Sequence, residues 1–302
     1  MLFNRLFQTK TKTHTRDVLW LGLHKTGTTF LQKSLDLSED TLSSAKIHYV
    51  GLEEFRASWT RPLLYDNHTS EPEPISMPDT AKWRLIFDEN ILSLVQHAVT
   101  PRGLYTDGAE RALIIANYFK MAQPRIVLGL RNFTGMIPSL YCESLKSTPF
   151  KPFERFCSLG LSEMSWLPLI DRLREAFPDS EMHLYQAEGL QGHESQLLSE
   201  VTGIKHSPFN LLKNPERLGF SQEAVDWLHE TSKFRKISKA DVRSAVKALP
   251  KSSRRPGFSP WTPSETKLLN DKYLRYLAIL HERAAKPENN LRILDFGQTY
   301  PL

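Results

Sequence analysis

Residues 18–32, VLWLGLHKTGTTFLQ, form an apolar run that enters a turn rich in glycine and threonine and leaves it as the start of an amphipathic helix. Val18 to Leu21 are β-branched, aliphatic and aromatic, the composition of a buried parallel strand, while Phe30, Leu31 and Leu35 recur at helical spacing. Between them Gly22 and Gly27 permit a tight backbone, and the amides that open the helix point at whatever anion sits there. Lys25, Thr28 and Thr29 add one cation and two hydroxyls. Strand, loop and helix together make a phosphate cradle.

The spacing departs from that of a nucleotide kinase. Such loops read G-x-x-x-x-G-K-[ST], with lysine directly after the second glycine and a hydroxyl on Mg²⁺. Here Gly22 and Gly27 keep the glycine spacing, Thr28 stands at the lysine position, and the lysine lies two residues before Gly27. From that lip Lys25 can bridge a 5′-phosphate and a group attached to it, without an obvious metal partner.

A second stretch, residues 125–141, reads RIVLGLRNFTGMIPSLY. A strand from Ile126 to Leu130 ends at Arg131, and a helix-like stretch after a short turn carries Ser139 and Tyr141. Arg131 then lies along the same sheet edge as the first cradle, where open α/β sheets bind ligands. A guanidinium fork and the Ser139 hydroxyl converging on one point suit a second, separate phosphate.

HKTGTT after a first strand and R-x7-S-x-Y after a later one resemble the two nucleotide-binding motifs of sulfotransferases that use 3′-phosphoadenosine 5′-phosphosulfate. The resemblance implies that Lys25, Thr26, Gly27, Thr28 and Thr29 hold the 5′-phosphosulfate, and that Arg131 and Ser139 hold the 3′-phosphate. It further implies a three-layer α/β fold of the P-loop NTPase-like sulfotransferase type and a reaction that needs no metal. Residues 181–190, EMHLYQAEGL, are similar to a later strand of the family, with Gln186 where glutamate is common. The layout is most like the soluble, bacterial-type carbohydrate branch, which implies a hydroxyl acceptor on a glycan or glycolipid. For the base, residues 83–95, WRLIFDENILSLV, place Asp88, Glu89 and Asn90 on a turn after another strand. Asp88 or Asn90 suits an N-cap, which leaves Glu89 to face the cleft. Members of the family use glutamate or histidine, so Glu89 is the expected base beside Lys25, with His68 as fallback. The other histidines lack metal-ligand spacing.

The 302 residues and 40% hydrophobic content suffice for a sizeable core. The expected layout is a loose tail at 1–16 and a single domain at 17–302. A proline-rich, irregular loop is expected at 60–80. Strands are expected at 18–22, 46–51, 83–87, 125–130 and 181–186, and helices at 109–122, 221–232 and 263–285. That alternation reads as a parallel sheet covered on both faces. No run of 18 apolar residues and no signal-peptide core occur, so no transmembrane segment is expected. Cys142 and Cys157 make no disulfide framework, consistent with free thiols and a cytoplasmic location.

Residues 231–257 hold nine basic residues, Lys233 to Arg255, against the single acid Asp241. A solvated helix face explains such a run, as does a surface for the 3′-phosphate or an anionic glycan. Arg254-Arg255-Pro256-Gly257 reads as a loop within it. Nucleic-acid binding is not expected, because neither aromatic interleaving nor a reader motif accompanies the charge. Two other functions fit the same residues: a nucleotide kinase with an aberrant loop, and a glycan- or nucleic-acid-binding module on an inactive sulfotransferase fold.

Overall fold

The computed structural model describes residues 17–66, 72–73, 75–205, 209–213 and 219–296. Strands β1 (Val18–Trp20), β2 (Ile47–Tyr49), β3 (Trp83–Phe87), β4 (Arg125–Leu130), β5 (Met182–Gln186) and β6 (Leu291–Leu294) form one six-stranded sheet. Their spatial order is β2-β3-β1-β4-β5-β6 and every pairing is parallel. From β1 the chain runs outward to β2, and from β4 it runs outward the other way. The sheet direction therefore reverses between β1 and β4, the position at which open α/β sheets leave a crevice beyond their carboxyl ends.

The covering helices are α1 (Thr28–Asp36), α2 (Gly108–Tyr118), α3 (Phe133–Ser144), α4 (Leu167–Ala176), α5 (Glu194–Thr202), α6 (Gln222–Ser232), α7 (Lys239–Ala248) and α8 (Pro263–Ala284). Alternation along the strands sends successive side chains to opposite faces. Leu19, Ile86, Ile126 and Leu128 point to the face covered by α2, α3, α4 and α8. Val18, Trp20, Leu85, Phe87 and Val127 point to the other, covered by α1 and α5. There Trp20 stacks on Phe87 with ring centroids 4.2 Å apart.

Local sequence explains most boundaries. Thr262 caps α8 in a capping box with Glu265, and Pro263 takes the first helical position, where its missing N–H is no loss. Pro138 lies inside α3 and cannot donate to the Thr134 carbonyl; Trp261 Nε1 donates to that oxygen instead, at 3.1 Å. The expected irregular loop at 60–80 needs correction at its start: Arg61–Leu64 is a helical turn that follows the wide turn Arg56–Thr60, with Pro62 tolerated in its first turn. Elements that carried too little local signal to be expected include β6, α4, α5 and a short antiparallel pair of Val99–Thr100 with Gly103–Leu104. Among the described residues no helix is long and apolar enough to cross a membrane.

Candidate active site

The loop after β1 stays bound to β4 at its start, where the Leu21 amide donates to the Val127 carbonyl at 2.9 Å. Gly27 caps α1 with φ +85°, and a Cβ there would lie 2.7 Å from Leu190 Cδ2, so only glycine fits. Lys25 adopts φ +70° in spite of its side chain, a conformation that costs about 1–2 kcal/mol. Arg131 holds it there: its Nη1 donates to the Lys25 carbonyl at 2.8 Å.

Within the same loop Thr26 is fully buried, and its hydroxyl donates to the Leu23 carbonyl at 2.6 Å beside the Tyr185 hydroxyl. A Cβ on Gly129 would fall 2.8 Å from Thr26 Oγ1 and 2.5 Å from Tyr185 Cζ, so β4 needs glycine there for this approach. The Thr26 side chain thus builds the turn rather than facing a ligand. Thr28 is buried and Thr29 half-buried at the start of α1. The amides of Gly27, Thr28 and Thr29 find no acceptor among the described residues. They are the orphan donors of a helix N-terminus, and the helix dipole adds positive potential.

Among the described residues three cavities open around Lys25. The first, about 790 Å³, is lined by His24, Arg56, Glu89, Asn90 and Glu143 among others. The second, about 580 Å³, is lined by Arg131, Asn132, Thr134, Glu188 and Glu194 among others. The third, about 410 Å³, contains Ser139, Glu143, Lys146, Lys251 and Ser252. Arg131 and Ser139, expected to meet at one point, instead face adjoining cavities. The Arg131 guanidinium packs over Gly135, where a Cβ would come within 3.3 Å of Nη2, and Ser139 sits one helical turn farther along α3.

The turn after β3 is tightly paired. Asp88 caps it by accepting from the Asn90 amide at 2.9 Å, and it also accepts from Thr60 Oγ1 and Arg56 Nε, each at 2.8 Å. Glu89, buried and lining the first cavity, accepts from Gln32 Nε2 at 2.9 Å on one oxygen and pairs with Arg56 Nη2 at 3.0 Å on the other. Burial pushes the Asp88 carboxyl up to about 6. Burial works the same way on Glu89, but Arg56 and Gln32 outweigh it and hold Glu89 below the ordinary carboxylate range. Glu89 is therefore an ionised carboxylate at neutral pH.

His24 stands between these two regions, with Nδ1 3.1 Å from the Tyr105 hydroxyl and Nε2 3.1 Å from Asn90 Oδ1. Burial lowers its pKa and keeps the imidazole neutral. Lys25 Nζ pairs with Glu143 Oε2 at 3.1 Å, and Lys146 Nζ approaches the same oxygen at 3.0 Å. Burial works to raise Glu143, yet the two lysines hold it down at about 2. The Lys251 side chain passes between the backbones of Gly219 and Gly257 to reach the third cavity. Sequence reasoning gave no role to His24, Gln32, Arg56 or Glu143, and Lys251 entered only as part of the basic run. His24 and Gln32 lay inside the quoted stretch, whereas Arg56 and Glu143 carried no local signal. His68 lies outside the described residues.

Comparison with protein-family models found none that matches the chain, and comparison with curated proteins found no match. The geometry at this sheet edge is a helix N-terminus with unmatched amides, one lysine common to three cavities, and an ionised carboxylate lining the first of them.

Proposed function

We propose that the chain is a sulfotransferase that moves a sulfonate from 3′-phosphoadenosine 5′-phosphosulfate to a hydroxyl acceptor, of which a glycan or glycolipid is the proposed class. The observation that carries this reading is Lys25 at the lip of the α1 cradle, bordering all three cavities, with no lysine after Gly27. A kinase loop sets its lysine at the other end of the cradle and adds a metal-holding acid. Asp88, at the end of the neighbouring strand, is committed to Arg56, Thr60 and the Asn90 amide.

In this reading the amides of Gly27, Thr28 and Thr29 hold the 5′-phosphate. Arg131, in the second cavity, supplies the cationic contact for the nucleotide's other phosphate. The acceptor occupies the first cavity, where Glu89 takes the hydroxyl proton as its oxygen attacks sulfur in line with the departing phosphate oxygen. Lys25 stabilises charge developing on the bridging oxygen. To do so it must exchange Glu143 for the donor. His24, neutral and fixed by Tyr105 and Asn90, orients the loop beside Glu89.

The test is transfer of labelled sulfonate from 3′-phosphoadenosine 5′-phosphosulfate to a panel of glycans and small alcohols, with EDTA present. Labelled acceptor together with released 3′,5′-adenosine bisphosphate is the expected result. Strict dependence on ATP and Mg²⁺ would make the protein a kinase, and nucleotide binding without any turnover would make it a binding module.

A further inference from the structure

The basic run at 231–257 forms a helical hairpin whose chemistry the proposed reaction does not use. Helix α6 buries Ala224, Val225 and Leu228, and α7 buries Val242, Ala245 and Val246, in one common core. Of the connecting turn, Ile237 joins that core while residues 233–236 are left outside. At that turn Phe234 is 87% exposed, flanked by Lys233, Arg235 and Lys236, and Trp227, two helical turns earlier, is 41% exposed. Trp227 stands among the acids Glu223, Asp226 and Glu230, whereas Phe234 stands among cations, which sets it apart from a singly exposed aromatic.

The charges sharpen the point. Lys233 pairs with Glu230 and Arg235 with Asp241. Among the described residues Lys236, Lys239, Arg243 and Lys247 make no ion pair. The last three lie at i, i+4 and i+8 on α7 and are exposed, so they form a single row along one helix face. A row of like charges at that spacing destabilises a helix by itself. An anionic surface laid against it removes the repulsion.

We propose that this hairpin docks on an anionic lipid bilayer, with Phe234 entering the interfacial zone and the α7 cations lying over the headgroups. Aromatic rings beside lysine and arginine are the composition that seats a helix in a membrane interface. A dissolved polyanion would be served by the cations alone. A single-stranded nucleic acid would want a ladder of stacked rings, whereas here one phenyl ring projects at a turn. The same segment runs on to Lys251 and Ser252 at the Lys25 cavities, so docking brings that site to membrane-borne hydroxyls. This consequence rests on the proposed function; the docking itself does not.

Co-sedimentation of the full chain with vesicles tests the docking, using phosphatidylcholine alone and phosphatidylcholine mixed with phosphatidylserine. Binding to the mixed vesicles only is expected. Each lost cation should weaken it about fivefold, so Lys239→Gln/Arg243→Gln/Lys247→Gln should weaken it on the order of 100-fold. Phe234→Ser should weaken it roughly tenfold and Phe234→Trp should restore it. All of these positions are exposed, and unchanged thermal unfolding of the variants checks that they fold. No binding to mixed vesicles at low salt would overturn the proposal. So would binding indifferent to Phe234→Ser and equalled by heparin, which would assign the face to a soluble polyanion. A dimer dispersed by Phe234→Ser, with no vesicle binding, would assign it to a second copy of the chain.

Discussion

The loop after β1 and the turn after β3 end neighbouring parallel strands of the same sheet, yet they treat their polar groups in opposite ways. After β3 the charges are matched inside the protein: Asp88 takes Arg56, Thr60 and the Asn90 amide, and Glu89 takes Gln32 and Arg56. After β1 the amides of Gly27, Thr28 and Thr29 have no acceptor among the described residues, and the backbone at Lys25 is held in a left-handed conformation by Arg131. Buried polar groups are ordinarily satisfied. In the proposed reaction the unmatched donors at the helix N-terminus receive the donor's phosphate, while the matched network fixes one carboxylate with little freedom to move. On that proposal the first region binds and the second positions.

That division can be broken most sharply at Glu89. Glu89→Gln keeps the shape and the Gln32 contact but removes the proton acceptor, so turnover should fall on the order of 10²- to 10⁴-fold. Calorimetry should show affinity for 3′,5′-adenosine bisphosphate nearly unchanged. If nucleotide affinity fell and turnover stayed, the two regions would have exchanged roles. Because Glu89 is already ionised at neutral pH, turnover of the wild type should show no acid limb from Glu89 above the ordinary carboxylate range, as a pH–rate profile would reveal.

Lys25→Ala comes next. It removes a group that contacts both the donor and the transition state, so turnover should drop about 10²-fold or more, and nucleotide binding should weaken as well. A loss confined to turnover would place Lys25 with the positioning region instead.

Arg131→Ala should weaken binding of 3′,5′-adenosine bisphosphate roughly 10- to 150-fold, as expected for loss of a charge-assisted contact of about 1.5–3 kcal/mol. Part of that loss comes from releasing the Lys25 carbonyl. AMP affinity separates the two contributions, since it falls only to the extent that the cradle itself loosens. Equal affinity of the wild type for AMP and the bisphosphate would remove the second phosphate site.

The smallest effect concerns Glu143. Its carboxyl sits at about 2, against an ordinary value of 4.5, with burial opposing and Lys25 and Lys146 dominating. A depressed folded pKa means that this interaction stabilises the protein above about pH 4.5 and is lost as pH falls toward 2. Carbon-13 NMR titration should find Glu143 low in the wild type and closer to its ordinary value in Lys25→Ala. An unchanged value there would show that Lys146 alone sets it.

The cradle was legible because it is local. Strand composition, two glycines at a fixed separation and an apolar helical repeat lie within the eighteen consecutive residues from Val18 to Leu35, and each is a backbone property that neighbours in sequence decide. Asp88 as an N-cap was readable for the same reason. The α/β class and all but one strand of the main sheet followed from the alternation of apolar runs. The exception, β6, is a four-residue edge strand with Arg292 in it, which exists because β5 offers it an edge. Thr26 shows the limit within the motif itself: its identity was plain, but that it turns inward depends on Gly129 and Tyr185, over a hundred residues away.

By itself, then, the chain's order of residues determined the parallel α/β class, the cradle and the strand ends that carry Lys25, Glu89 and Arg131, because these rest on short-range periodicity and backbone conformation. Tertiary structure alone decided which charges meet. Arg56 between Asp88 and Glu89, Glu143 against Lys25, His24 between Tyr105 and Asn90, and Lys251 threading past Gly219 and Gly257 are all pairings across the sheet edge. Such contacts depend on how the helices pack, and packing is a property of the folded whole.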